Sequence, residues 1–205
     1  MMAIAAVFVS YLIGAVSFSY LMGQLLKKLD IRDHGSGNAG ATNTLRVLGI
    51  GPAITVLLLD TAKGIAAVYL GFSWSGGDPL FAAMAGTAAV VGHNWPVYFG
   101  FRGGKGVATT IGVMAVLVFW PALIAGTAAI ISIVVTRYVS LGSLLFMSGT
   151  TLLTAALLPV FAYPPVYLYF LAGLTILSIW RHRTNIKRLK DGTESRLGQK
   201  TETSS

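Results

Sequence analysis

Cysteine is absent from this 205-residue chain, which excludes disulfides, thiolate metal sites and a cysteine nucleophile. Charge is scarce: Asp, Glu, Lys and Arg make up 11% of the residues, against about a quarter in a soluble domain. Only 7 residues are acidic, and the 3 histidines are scattered with no carboxylate cluster beside them. A metal centre therefore finds no ligand set, and no metal or cofactor is expected. The N-terminus lacks a basic leader. Its first positive charges, Lys27 and Lys28, follow the apolar run, as expected of a retained first span and not of a cleaved signal peptide.

What is present is apolar. Hydrophobic residues reach 55%, and their runs repeatedly attain bilayer-spanning length, so an all-α integral membrane protein is expected. Spans are predicted over residues 3–26, 50–71 and 80–99. Between 107 and 136 no residue is charged. One helix there would measure about 45 Å, too long for a hydrocarbon core of about 30 Å. Two shorter helices joined at Trp120-Pro121 are expected instead, since proline suits a first helical turn. Further spans cover 139–158 and 166–180, with Pro159, Pro164 and Pro165 marking the turn between them.

Seven spans result, N-terminus outside and C-terminus cytoplasmic. Every Lys and Arg then falls on the cytoplasmic side, except Lys63 inside a span, as the positive-inside rule requires. A single long central helix would split this set. The net charge of +8 thus signifies topology and contact with anionic membrane lipids, not nucleic acid. Residues 1–197 are expected to form one membrane-embedded domain and 198–205 a polar, disordered tail.

The polar segments gather on that cytoplasmic side. The central one is Gly92-His-Asn-Trp-Pro-Val-Tyr-Phe-Gly-Phe-Arg-Gly-Gly-Lys-Gly-Val-Ala-Thr-Thr110. Glycines 103, 104 and 106 around Lys105 let backbone N–H groups face an anion, and a helix beginning at Val107 adds its positive dipole end. This is not the nucleotide P-loop: Gly100 stands one residue too near Gly104, and Gly106 replaces the magnesium-binding hydroxyl. These residues alone leave two readings open, a phosphate cradle or a flexible loop whose Lys105 faces lipid headgroups.

A second glycine-rich segment, Gly35-Ser-Gly-Asn-Ala-Gly-Ala-Thr-Asn-Thr-Leu-Arg46, offers a backbone nest. Ser36, Asn38, Thr42 and Asn43 add hydroxyl and amide groups, and Arg46 adds a guanidinium able to bind phosphate bidentately. A polar run this dense between spans favours a binding role over filler. Ser140 and Ser143 share a helix face, although membrane serines most often tie helices together. His182 and Asn185 project together beyond the last span, where the surrounding Arg and Lys serve as an anionic-lipid anchor. Asp60 and Lys63, mid-span and three apart, are expected to form a structural ion pair or support behind the site. His93 is expected to position the glycine–lysine hinge rather than to act in catalysis.

Taken together, three motifs resemble the PlsY family of acyl-phosphate-dependent glycerol-3-phosphate acyltransferases. They are Ser36 through Arg46, Gly92 through Ala108, and Arg181-His-Arg-x-Asn185 with Gly192-Thr-Glu-Ser-Arg196. Order, spacing and span pattern agree over nearly the whole chain, and Arg102 keeps a positive charge before the double glycine. The chain also lacks the His-x-x-x-x-Asp signature of the other acyltransferase class: Ala39, Tyr98 and Lys187 stand where that Asp would follow His34, His93 and His182.

The resemblance implies a bacterial inner-membrane enzyme of seven helices with a cytoplasmic site and no cofactor. It transfers a fatty acyl group from acyl phosphate to the sn-1 hydroxyl of glycerol 3-phosphate, giving lysophosphatidic acid and phosphate. Ser36, Arg46, Lys105, Ser143, His182 and Asn185 are then placed around the two phosphates and the attacking hydroxyl. Gly103 and Gly104 supply backbone N–H groups to the acyl phosphate. Expected partners are glycerol 3-phosphate, fatty acyl phosphate, membrane lipids and the enzyme that makes acyl phosphate. With neither a cysteine nor a Ser-His-Asp set, direct attack without an acyl-enzyme is expected, the proton passing to His182 or to the donor's own phosphate. Two other classes share some of these features. A transporter or channel for an anionic phosphate compound calls for broken helices near the midplane and an internal repeat. A lipid-binding scaffold leaves both glycine-rich segments unexplained.

Overall fold

The computed structural model describes residues 1–199 and is all-helical among them; the last six residues of the expected polar tail lie outside the described residues. Ten α-helices follow in order: α1 (Met2–Gly14), α2 (Phe18–Lys27), α3 (Ala41–Leu48), α4 (Ile50–Ser75), α5 (Pro79–Asn94), α6 (Val107–Leu117), α7 (Phe119–Thr136), α8 (Val139–Phe161), α9 (Val166–Arg181) and α10 (Arg183–Lys190). Short 3-10 turns occupy Ile31–Asp33 and Val97–Phe99. Four stretches, Met2–Lys27, Ile50–Ser75, Phe119–Thr136 and Val139–Phe161, are long and apolar enough to cross a membrane.

The helices form two compact units, Met1–Val113 and a second beginning at Met114. In the first, α1, α4 and α5 pack on one another, with α2 and α3 against α4. In the second, α8 packs on both α7 and α9.

Both units bury many alanines and leave many large apolar side chains exposed. Ala6, Ala82, Ala85 and Ala89 are fully buried, while Val134, Val135, Leu152 and Ile176 are 69–76% exposed. A water-soluble protein does the reverse; side chains of this kind belong in lipid. Lipid supplies no hydrophobic force between helices, so close backbone contact through small residues must hold them. The pair α1 and α5 illustrates it. A methyl group on Gly14 would collide with the Ala89 backbone, and one on Gly92 with the Tyr11 carbonyl. Gly64 and Gly112 bring α4 against α6 in the same way, facing the Thr109 and Thr61 carbonyls.

Several expected boundaries shift, each for a local reason. The first run is interrupted between Gly14 and Phe18, where the Val16 carbonyl leaves the helical ladder and accepts a hydrogen bond from Lys63 Nζ at 2.8 Å. α4 continues to Ser75 and stops at Gly76 in the left-handed conformation. The third run ends at Asn94 and not near residue 99, because Pro96 disfavours helical backbone at Trp95. Pro159 lies inside α8; the chain turns at Ala162, which adopts left-handed backbone. The central run does divide, at Val118, with Pro121 in the first turn of α7.

Replacing Gly14 by Leu must push α1 off α5. Overpacking of this kind costs about 1–3 kcal/mol. The Tm of the detergent-solubilised protein should fall by about 2–12 °C. A methyl group on Gly173 meets nothing within 4 Å, so Gly173→Ala should leave the Tm unchanged or raise it slightly.

Candidate active site

In the first unit the site begins where α2 ends, at Lys28 in the left-handed conformation. The chain then wraps around one buried side chain, Asn43 of α3. Its Oδ1 accepts from the Ser36 N–H at 2.8 Å. Its Nδ2 donates to the Ile31 and His34 carbonyls at 2.9 and 3.0 Å. Gly35 has φ +60°, and any side chain there would strike Asn43 Oδ1. The Asn43 amide is thus occupied in shaping the loop. Around it Ser36 is exposed, Asn38 and Thr42 are half-buried, and half-buried Arg46 stands in the last turn of α3.

The glycine–lysine hinge folds back on the end of α5. The Gly104 N–H, expected to face an anion, donates to the His93 carbonyl at 3.1 Å. A methyl group on Gly104 would overlap both the His93 ring and the Ala39 carbonyl, and one on Gly103 would overlap the His93 carbonyl. Only glycine permits this approach, and the approach brings the hinge against the 36–46 segment. Lys105 is half-buried, and α6 begins at Val107 as expected. The base of the turn is fixed by Tyr11, whose hydroxyl donates to the Trp95 carbonyl at 2.8 Å.

Arg32 clamps the outer edge of the hinge. Its guanidinium donates to the Phe99 carbonyl at 2.6 Å and to the Arg102 carbonyl at 3.1 Å. It stacks over Tyr20 and pairs with Asp30 at 2.7 Å. The hydrogen bonds from Arg32 hold the Asp30 carboxyl below the usual carboxylate range. In the sequence Arg32 is only one of the cations expected on the cytoplasmic side; the residues it grips lie far along the chain and share no spacing with it.

Behind the hinge, Asp60 and Lys63 do pair, at 2.7 Å. Lys63 Nζ also lies 3.0 Å from His93 Nδ1.

In the second unit the polar groups converge on Glu194. Its Oε1 accepts from Ser140 Oγ at 2.8 Å and from Asn185 Nδ2 at 2.6 Å. Its Oε2 accepts from Arg188 Nε at 2.8 Å. Burial alone would raise this carboxyl, but the bonds from Asn185, Ser140 and Arg188 outweigh it and hold the group below its ordinary value. Glu194 was visible only as a member of the 192–196 motif. His182, buried at the junction of α9 and α10, places Nδ1 2.8 Å from the Ser178 carbonyl. A carbonyl only accepts, so Nδ1 carries a proton and Nε2 is the basic nitrogen of the neutral ring. The Ser143 hydroxyl donates to the Val139 carbonyl at 2.9 Å. Among the described residues no group of three or more His, Asp or Glu side chains is placed to hold a metal ion.

Comparison with known proteins is consistent with these motifs. A family model described as glycerol-3-phosphate acyltransferase matches residues 4–192. The chain is 63% identical to a glycerol-3-phosphate acyltransferase of Shouchella clausii, over 96% of this chain and 97% of that one. It is 46% identical to one of Thermoanaerobacter pseudethanolicus, over 98% and 99%. Two crystal structures of PlsY (YgiH), an integral membrane glycerol 3-phosphate acyltransferase, are also similar. The glycerol 3-phosphate form has TM-score 0.88 at 38% identity, covering 96% of each chain. The lysophosphatidic acid form has TM-score 0.85 at 37% identity, covering 96% of this chain and 95% of that one.

The depressed Glu194 carboxyl sets a pH dependence. Its contribution to stability is complete above the ordinary glutamate value of 4.5 and is lost as pH falls through the lower value of the folded state. A Glu194→Gln variant, retaining shape without charge, should lose about 2 kcal/mol near neutral pH. Its thermal-melt profile should then flatten at acid pH, where the wild type continues to lose stability.

Proposed function

The chain belongs to the glycerol-3-phosphate acyltransferase family, and from that premise we propose that it transfers a fatty acyl group from acyl phosphate to the sn-1 hydroxyl of glycerol 3-phosphate. The products are lysophosphatidic acid and inorganic phosphate. The observation that carries this reading is the Gly104 backbone lying against the Ala39 carbonyl, which sets two glycine-wrapped, cation-bearing segments side by side. Substrates with two phosphates call for two such segments.

The hydroxyl oxygen attacks the acyl carbonyl carbon, and the carbon–oxygen bond to phosphate breaks as the tetrahedral intermediate collapses. Acyl phosphate is already activated, so alignment and charge stabilisation suffice without an acyl-enzyme. Arg46 and Lys105 take phosphate oxygens, with Ser36, Asn38 and Thr42 around them. Lys105 and the Gly103 N–H also stabilise the oxyanion. Gly104, its N–H on His93, contributes by permitting the fold of the hinge, and Asn43 by shaping the loop. Ser143, Asn185 and His182 serve the attacking alcohol. The proton passes to His182 Nε2 or to the departing phosphate.

The same proposal sets this domain, residues 1–197, in the bacterial inner membrane with its site facing the cytoplasm. Seven spans would be α1 with α2, then α4, α5, α6, α7, α8 and α9, N-terminus outside. α6 spans only about 17 Å at 1.5 Å per residue, so it must thin the bilayer or lie within protein. The polar face would then receive a donor whose tail stays in lipid, delivered by the enzyme that makes acyl phosphate.

Purified protein in detergent, supplied with acyl phosphate and glycerol 3-phosphate, should release phosphate continuously. Acyl-CoA should not replace the donor. No turnover would overturn the reading; turnover without a membrane barrier excludes transport as the main role. Lys105→Ala and Arg46→Ala should each lose about a hundredfold or more, and activity within a few-fold of wild type would remove that assignment. If His182 is the base, His182→Gln should lose activity along with the acid limb of the rate–pH profile. Near-full activity with a flat profile assigns the proton to phosphate instead.

A further inference from the structure

The buried group of Asp60, Lys63 and His93 is unused by the chemistry above. An ion pair within a membrane helix is costly, and apolar residues of similar size often replace buried pairs without loss of stability. Stability alone is therefore a poor reason for this one. Its bonding suggests another. The Lys63 ammonium meets three segments: it forms an ion pair with Asp60 on its own helix at 2.7 Å, donates to the Val16 carbonyl in the break between α1 and α2 at 2.8 Å, and lies 3.0 Å from His93 Nδ1 at the end of α5. Asp60 Oδ1 also lies 3.5 Å from His93 Nδ1. All three side chains are 1–6% exposed.

An ammonium has no lone pair, so His93 Nδ1 must accept. The neutral ring then carries its proton on Nε2, the nitrogen facing the Cα of Gly104 beside the Ala39 carbonyl. The backbone carbonyl of the same His93 receives the Gly104 N–H. His93 is thus held on one side by the charge pair and grips the hinge on the other, through both its ring and its main chain.

We propose that Asp60, Lys63 and His93 are positioning residues that set the conformation of the 100–106 hinge, and through it the acyl-donor site, without touching substrate. The proposal rests on the acyl-phosphate reading for its kinetic consequence but not for its structural one. A glycine-rich segment has little conformational preference of its own, so its shape must be imposed from outside, and a misplacement of about 1 Å can cost about a hundredfold in rate.

The test replaces the charge pair by apolar residues of similar size, Asp60→Leu with Lys63→Met, in the full-length protein in detergent. The variant should keep a Tm near that of wild type. Hydrogen exchange in 100–106 should accelerate about tenfold or more while α8 is unchanged. The kcat/KM for acyl phosphate should fall about tenfold or more, with the KM for glycerol 3-phosphate within about twofold. Should the double variant not fold, His93→Gln, which leaves the pair in place, carries the same readings. Wild-type exchange in 100–106 with unchanged donor kcat/KM overturns the proposal. So does uniform acceleration along the whole chain with a lowered Tm, which is the signature of general stabilisation. If the wild type itself does not turn over acyl phosphate, the exchange measurement still decides this inference, and the failure belongs to the functional reading.

Discussion

Backbone-to-backbone contact through residues without bulk is the constraint on which the rest of this molecule depends. In lipid, apolar side chains gain nothing by turning inward, so attraction between helices must come from dispersion at close range and from buried hydrogen bonds. The alanine-lined interior and the contacts at Gly14, Gly92, Gly64 and Gly112 answer that constraint directly. Many large apolar residues lie on the outer surface, where hydrocarbon receives them.

The same device recurs at the candidate site. At Gly104 the chain comes as near to His93 and Ala39 as it can without a side chain, and two polar segments far apart in sequence become neighbours. Glycine allows that approach but does not enforce it. Enforcement comes from fixed donors on either side: Arg32 on the Phe99 and Arg102 carbonyls, and Lys63 on His93. Asn43 plays the corresponding part in the first loop and Glu194 in the second unit. In each case one buried polar side chain satisfies several groups at once, and leaving any of them unpaired in a low-dielectric setting would cost about 1–3 kcal/mol. A loop so bonded has one low-energy shape.

Most of the architecture was legible because lipid imposes one-dimensional rules. Composition, run length and the absence of charge between 107 and 136 announced helices of spanning character and the division of the central run near Trp120-Pro121. Where local expectation failed, a longer-range contact or a neighbouring residue had intervened. The first run is interrupted because Lys63 takes the Val16 carbonyl, and the third stops early because Pro96 constrains Trp95. Of the polar residues expected around the phosphates, the residue types and their segments were visible, but the division of labour was not. Asn43 resembled a ligand and proves to be occupied by its own loop; the Gly104 N–H resembled an anion donor and points at His93.

By itself, then, the sequence determined the class of solvent this protein lives in, the helical segments that follow from it, and the three motifs that mark its family. These follow from residue type and spacing along the chain, which lipid and the peptide hydrogen bond interpret without reference to distant residues. Only the tertiary structure decided which polar groups are spent on shaping loops, that Arg32 grips the outer edge of the hinge, and that Glu194 is the point on which Ser140, Asn185 and Arg188 converge. Those assignments depend on pairs brought together by helix packing, and hydrogen-bond geometry over about 3 Å has no signature in the order of residues.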